Sequence, residues 1–487
     1  MAAMSRSLDF VGGLKRKAVA ARSYRCAVSS KSGTEFRGNT SFQIELPTIA
    51  RSYADLTNMV LEYDIKMSSA VNASLCASGY DVINRMTISS GGGAVIDDCQ
   101  HLNLYYNAVL AQNVSHEFMR GYMAEVAGHR GDVGSPLGVA LSETARTIRV
   151  PLLHSVATCD KLLPLATSSG LNFTIYLEDA KNALVQHASA FADYIIVNPR
   201  LVFYVTELSP ETEALLQQSV QPIGFNLNFT GLACTTDKKQ TSGGALISQL
   251  GFRYSSLNKV TLIQRHEDCS NVETQLQNNR GWFGLTELSF FINGTRYPQQ
   301  KMVGSATNFA EFLTETYLSN NVLANIYHNS HINNTAPLTA IVAPGAGTVA
   351  VNDAATATGA GVRTAANALR NQVPVNCRNY ENLTGKLADA FNASPTVGNA
   401  TLDKFNVAGA ATATSGHGTF FVSYSFENFK TPADDSGLYS GTSTLGSTVT
   451  CEMYHSDTTN KADLFFYAEC DKILSVDPLT LNFVVSD

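Results

Sequence analysis

Few residues in this sequence are spaced for chemistry. His328 and His331 have a metal-like spacing, but no cysteine or third histidine stands near them, and a zinc site needs three or four such ligands. Gly345-Ala346-Gly347 begins like a dinucleotide fingerprint, yet the third glycine is missing and the surrounding text is of low complexity, which suits a surface loop better than a phosphate cradle. Asp97-Asp98 and Asp434-Asp435 are carboxylate pairs that could hold a cation, although such pairs more often cap helices or sit in turns. Trp282, the only tryptophan, precedes a strand and reads as packing in a core or a subunit interface. The sequence holds no GxSxG elbow, HExxH, P-loop or EF-hand pattern. The expectation is a protein that is not an enzyme, with no catalytic, cofactor-binding or metal-ligating residues.

Charge gives a clearer signal. The formal charge is -7, but residues 1 to 37 hold eight of the 34 Lys/Arg and two of the 41 Asp/Glu, leaving 26 bases against 39 acids in the rest. A body so acidic argues against a broad nucleic-acid groove, because phosphate binding depends on clustered Lys and Arg. Near the N-terminus, Leu8, Val11, Leu14 and Ala18 fall at helical spacing, ringed by Arg6, Lys15, Arg16, Lys17, Arg22 and Arg25, while Gly12-Gly13 weaken any helix. Residues 1–38 therefore read as a basic arm, with two readings open: contact with a membrane leaflet or packaged nucleic acid, or a solvated leader. The nine cysteines are scattered and form no CxxC pair, as expected of reduced, mostly buried thiols. No run of 18 apolar residues and no secretory h-region are present, so neither membrane spanning nor export through a signal peptide is expected.

The elements that would carry these residues are mostly strands. At 487 residues the chain exceeds one ordinary core, and with 44% hydrophobic and 15% charged residues it can fill two. Phe42, Ile44 and Leu46 alternate with polar residues, and Met59–Ile65 reads as a strand. Val82–Ile88 and Ala94–Ile96 flank a glycine turn as a hairpin. A helix follows, with Leu102, Tyr105, Tyr106 and Val109 on one face and Asp97 or Asp98 as a cap. After a polar stretch come strands at Ile148–Leu153, Leu171–Leu177, Tyr194–Val197 and Leu201–Val205. Prolines 210 and 222 bracket a linker over 211–222 with a short helix, dividing a first domain (39–210) from a second (223–487).

The second domain repeats the plan. Phe225, Leu227 and Phe229 match Phe42, Ile44 and Leu46, and Lys259–Ile263 is a further strand. Glu287–Ile292, Asn293-Gly294 and Thr295–Tyr297 form a hairpin, and Phe309, Phe312, Leu313 and Tyr317 stripe the following helix. Strands at Thr419–Phe426 and Ala462–Ala468 close the half. The hairpin turns at Gly92 and Gly294 are 202 residues apart, whereas the Ser-Gly-Leu turns at Gly170 and Gly437 are 267 apart. The extra length falls in an Ala/Gly/Thr-rich loop over about 329–416.

Short strands in two matched sets, each with a helix after a mid-domain hairpin, ask for tandem jelly rolls: an all-β chain of two jelly-roll β-sandwiches with short helices and a long loop in the second half. Phe420, Val422, Tyr424 and Phe426, then Ser436-Gly437, Ser443 and the strand Val449-Cys451-Met453 supply the local match. On these residues the chain resembles the double jelly-roll major capsid proteins of the tectivirus, adenovirus hexon, virophage and large DNA virus lineage. The resemblance implies a homotrimer shaped as a pseudo-hexagonal capsomer, packed with neighbouring capsomers and with minor capsid or penton proteins in an icosahedral shell. It further implies a virion location after synthesis in host cytoplasm or nucleus, the 329–416 loop as an outward tower, and the basic arm beneath the shell against genome or internal membrane. No cofactor and no particular host receptor are implied. The alternative is a carbohydrate-binding or adhesive β-sandwich protein, since jelly rolls also serve as lectin domains.

Overall fold

The computed structural model describes residues 21–70, 73–76, 78–113, 122–123, 125–128, 140–159, 161–165, 170–186, 192–220, 225–266, 280–281, 283–305, 310–320, 417–418, 420–427, 441–458, 461–476 and 483–486. The first half carries eight principal strands: β1 (Ala21–Ser29), β2 (Ser41–Glu45), β3 (Ser52–Met67), β4 (Ile83–Ser90), β5 (Val95–Cys99), β6 (Arg146–Pro151), β7 (Leu171–Leu177) and β8 (Tyr194–Leu208). The second carries eight more: β9 (Phe225–Lys239), β10 (Gly244–Leu250), β11 (Leu257–His266), β12 (Leu285–Ile292), β13 (Thr295–Val303), β14 (Phe421–Ser425), β15 (Val449–His455) and β16 (Ala462–Val476). Helix α1 (Leu102–Asn113) follows β5, α2 (Pro210–Val220) joins the halves, and α3 (Ala310–Ser319) follows β13.

Sheet topology shows the duplication strand for strand. In the first half a large sheet runs β1–β8–β3–β6 and a smaller one β2–β7–β4–β5. In the second the large sheet runs β9–β16–β11–β14 and the smaller one β10–β15–β12–β13, so each strand corresponds to the one eight places earlier. Lengths agree too: β7 and β15 have 7 residues each, and β8 and β16 have 15 each. β7 and β15 also alternate buried and less buried positions in the same order, with Leu171, Phe173, Ile175 and Leu177 inward in one and Val449, Cys451, Met453 and His455 in the other. Period-two alternation is what a sheet with one covered face requires, and each such apolar side chain contributes about 1.5–3 kcal/mol when fully buried. The β12–β13 hairpin turns at Asn293 and Gly294, both at positive φ (50° and 77°), the pairing that a tight primed turn needs.

Several expectations change. Among the described residues the sandwich is already present at Ala21, because β1 pairs along β8 from Ala21↔Leu208 to Ser29↔Arg200, and Glu35–Arg37 also pairs with β8. The basic arm expected through residue 38 therefore contains two strands, Ala21–Ser29 and Glu35–Arg37. The counterpart of β2 is β10, whereas Phe225–Phe229 belongs to β9, the counterpart of β1; alternation alone cannot tell which partner a strand will take. Asp97 and Asp98 lie within β5 and cap no helix. The proposed linker is helical over Pro210–Val220, and Tyr194–Leu208 is one strand that bridges the two segments read from the sequence. The long insertion over 329–416 and the Ser436-Gly437 turn lie outside the described residues. The strand containing Phe421–Ser425 and the one containing Leu464–Tyr467 share a sheet, each flanking β11.

Candidate assembly surfaces

The two sandwiches meet along a buried seam made of one half's edge and the other half's sheet face. β5, the edge of its small sheet, brings Asp97 within 3.3 Å of Lys472 on β16, and both side chains are nearly inaccessible. At the start of α1, Tyr105 hydrogen-bonds Glu469 and lies 5.0 Å from the Tyr467 ring. The Tyr467 hydroxyl donates to the His101 carbonyl at 2.8 Å, and the His101 ring meets Phe465 edge-on. Ser155 N donates to the Thr230 carbonyl at 2.9 Å, and Thr230 N donates to Thr158 Oγ1 at 2.8 Å. Ile263, Phe421, Phe465 and Tyr467 consequently belong to the hydrophobic cluster of the first half, while the alternate residues Leu262, Val422 and Phe466 line the interior of the second.

Desolvation governs the electrostatics here. Burial pushes the Asp97 carboxyl up, against the opposing charge of Lys472. Burial also drives His154 down to about 3, so the imidazole that meets the Tyr106 hydroxyl is neutral. A cavity of about 180 Å³ at the seam is lined by Tyr105, His154, Thr230, Lys259 and Glu469, among others. Lys259 and Glu469 pair across it at 2.6 Å, which leaves a charge-balanced polar lining.

The large sheet of the first half presents a different outward face. Arg200 on β8, Glu62 on β3 and Arg149 on β6 stand in one cross-strand row, and Arg25 reaches the same carboxylate from β1. Arg200 Nε donates to Glu62 Oε1 at 2.6 Å, Arg25 lies 3.4 Å from Oε2, and Arg149 contacts that oxygen as well. The Glu62 side chain is 2% exposed, while the three arginines retain 43–48%. Burial raises the carboxyl's pKa, but hydrogen bonds and charge from Arg200 and Arg149 outweigh it and hold Glu62 below its ordinary 4.5. One carboxylate against three guanidiniums leaves this row positive, while Asp64 follows two residues on along β3 and Tyr204, 49% exposed, is paired in register with Asp55.

Of the residues expected in a basic arm, Arg22 and Arg25 are on β1, and Arg25 is held by Glu62. Arg6, Lys15, Arg16 and Lys17 lie outside the described residues, as do His328, His331, Gly345, Gly347, Asp434, Asp435 and Trp282. Asp98 accepts from Arg85 at 2.7 and 2.6 Å and from the Thr87 hydroxyl at 2.9 Å. Among the described residues no cluster of three or more His, Cys, Asp or Glu is placed to hold a metal, and no helix is long and apolar enough to cross a membrane. The seven described cysteines are thiols, five of them buried. Glu62 was missed by sequence reading; its one signal was an acid placed between the apolar Leu61 and Tyr63, and Asp55, Asp64 and Lys66 in the same strand blur it.

No family pattern matches the sequence, and no curated protein matches it. Solved structures do. VP54 of PBCV-1 is similar at a TM-score of 0.54 and 9% identity, covering 94% of this chain and 95% of its own length. A chain of the virophage Sputnik is similar at 0.51 and 12% identity, covering 100% and 92%, and the Faustovirus major capsid protein at 0.51 and 8%, covering 94% and 91%. The chain has the double jelly-roll fold. These matches cover more than nine-tenths of both chains, so the likeness spans both sandwiches.

Proposed function

We propose that this protein is a viral major capsid protein that assembles as trimeric, pseudo-hexagonal capsomers and builds an icosahedral shell without catalysing a reaction. The observation that carries the reading is the strand-for-strand duplication, β1–β8 repeated as β9–β16, spanning nearly the whole length of a PBCV-1 capsid protein and of a Faustovirus major capsid protein. Physically, two homologous units in one chain let three copies present six similar walls, and closed rings of repeated contacts are how soluble subunits usually assemble. Its place is the virion, with neighbouring capsomers as partners. Residues 1–20, including Arg6, Lys15, Arg16 and Lys17, are proposed to lie beneath the shell against genome or membrane, and the 329–416 insertion to face outward as a tower. Size-exclusion with light scattering, followed by negative-stain microscopy of the purified chain, tests the reading. A mass of three chains with a six-sided outline is expected; a persistent monomer that binds a glycan tightly would overturn it in favour of an adhesive β-sandwich.

A further inference from the structure

The duplication makes two kinds of surface in each sandwich, and the chain uses only one of each. The seam joins the β5–α1 edge of the first sandwich to the outward face of the second sandwich's large sheet, where the row Tyr467–Thr261–Ser423 runs across β16, β11 and β14. The corresponding row on the first sandwich is Arg200–Glu62–Arg149 across β8, β3 and β6, and its arginines are half-exposed. The edge that corresponds to β5–α1 is β13–α3 of the second sandwich. It carries an exposed Val303 (47%) and Leu318 (41%), together with Glu311 and Glu315. One side of α3 already covers Ser423 and holds Lys259 through Asn320, so what is left without a counterpart is the first sandwich's sheet face and the exposed side of the β13–α3 edge.

We infer that the β13–α3 edge of a second copy of this chain docks on the arginine face of the first sandwich, with Glu311 and Glu315 meeting Arg25, Arg149 and Arg200, and with Val303 and Leu318 packing by Tyr204. Four observations carry it. The internal seam supplies the mode of contact, edge onto sheet face, in the same molecule. The acids of α3 would face bases as Asp97 of the edge faces Lys472 in that seam, and the bases Arg296 and Lys301 of β13 are already paired with Glu452 and Glu287. The single buried carboxylate of the arginine face is already shared by three guanidiniums, so incoming carboxylates find unspent donors with planar fork geometry. Arg and Tyr around a flat centre are also the residue types that dominate protein interfaces. The contact is head-to-tail, so each copy offers one face and one edge, and such a contact closes into a ring or runs on as a filament.

The inference rests on self-assembly as proposed above, and the test separates the two. Tyr204 is replaced by the photo-crosslinking residue p-benzoylphenylalanine in the full chain, the assembled protein is irradiated, and the crosslinked peptides are sequenced. Crosslinks from position 204 into residues 295–319 of another copy are expected. In parallel, Arg25→Glu and Glu315→Lys are each expected to weaken association about tenfold or more, and the double variant, in which every contact carries the swapped pair, to recover most of the loss. Oligomers that form normally but crosslink elsewhere, or that ignore both reversals, would overturn the docking site while leaving self-assembly standing. A wild-type chain that stays monomeric at all concentrations would overturn both, and crosslinks to nucleic acid or lipid in place of protein would replace the partner.

Discussion

The outward faces of the two large sheets are built on the same strand order and carry opposite chemistry. On the second sandwich the row is Tyr467, Thr261 and Ser423, all at or below 1% exposure, closed by the Thr261–Ser423 hydroxyl contact at 2.8 Å and covered by the first half and α3. On the first sandwich it is Arg200, Glu62 and Arg149, with guanidiniums left half in water. A face that is always covered can use small hydroxyls and aromatics, since neither group needs water once paired. A face that must be soluble before it finds a partner needs charge, and the difference shows which contact belongs to the chain and which waits for another molecule.

The largest effect is expected on the covered face. Tyr467→Ala removes a fully buried ring together with its hydroxyl bond to His101 and should cost about 3–5 kcal/mol, read as a lower denaturation midpoint in urea. If the seam is what couples the halves, this variant will also unfold in two steps. A loss below about 1 kcal/mol in a single transition would mean that the two sandwiches hold together by other contacts. On the open face, Glu62→Ala leaves three like charges together; because those charges are half-solvated the cost should be smaller, about 1–3 kcal/mol, and should shrink further in high salt.

Acid titration sharpens the contrast, since the two buried carboxylates are shifted in opposite directions. Glu62 is held below 4.5, so its contribution to stability is complete above that value and is lost as pH falls through the folded-state pKa. Asp97 is held above 3.8, so the folded state keeps its proton longer than the unfolded chain does, and stability declines as pH rises from 3.8 through the folded-state pKa. Glu62→Gln should therefore flatten the acid limb of a stability–pH curve, and Asp97→Asn the limb above it. Equal curves for wild type and both variants would contradict the opposite roles given to the two faces.

Much of this architecture was legible before any coordinates. The Asn293-Gly294 turn and the helix after each hairpin follow from local chemistry, because a primed turn and an apolar helical stripe need no knowledge of the partner. β1 was not legible: Ala21–Ser29 is an edge strand exposed on one side, with two arginines, so it carries little apolar alternation and reads as tail. The match of Phe225–Phe229 to β2 failed for a related reason, since alternation specifies a half-buried strand but not its neighbour. The arginine face was invisible because Arg25, Glu62, Arg149 and Arg200 come from four strands and meet only through register.

The smallest expected effect is the most telling for assembly. Arg25→Ala breaks a half-exposed ion pair and should change monomer stability by about 0–1 kcal/mol, yet it should visibly slow or weaken oligomer formation. A variant equally impaired in both would point to a purely structural role for that arginine.

The most direct measurement is a cryo-electron microscopy map of the assembled oligomer. Six sandwiches in a ring are expected, with α3 of one copy lying over the Arg200–Glu62–Arg149 row of the next, as α1 lies over Tyr467 within each chain. An oligomer in which that arginine row faces open solvent would contradict the account.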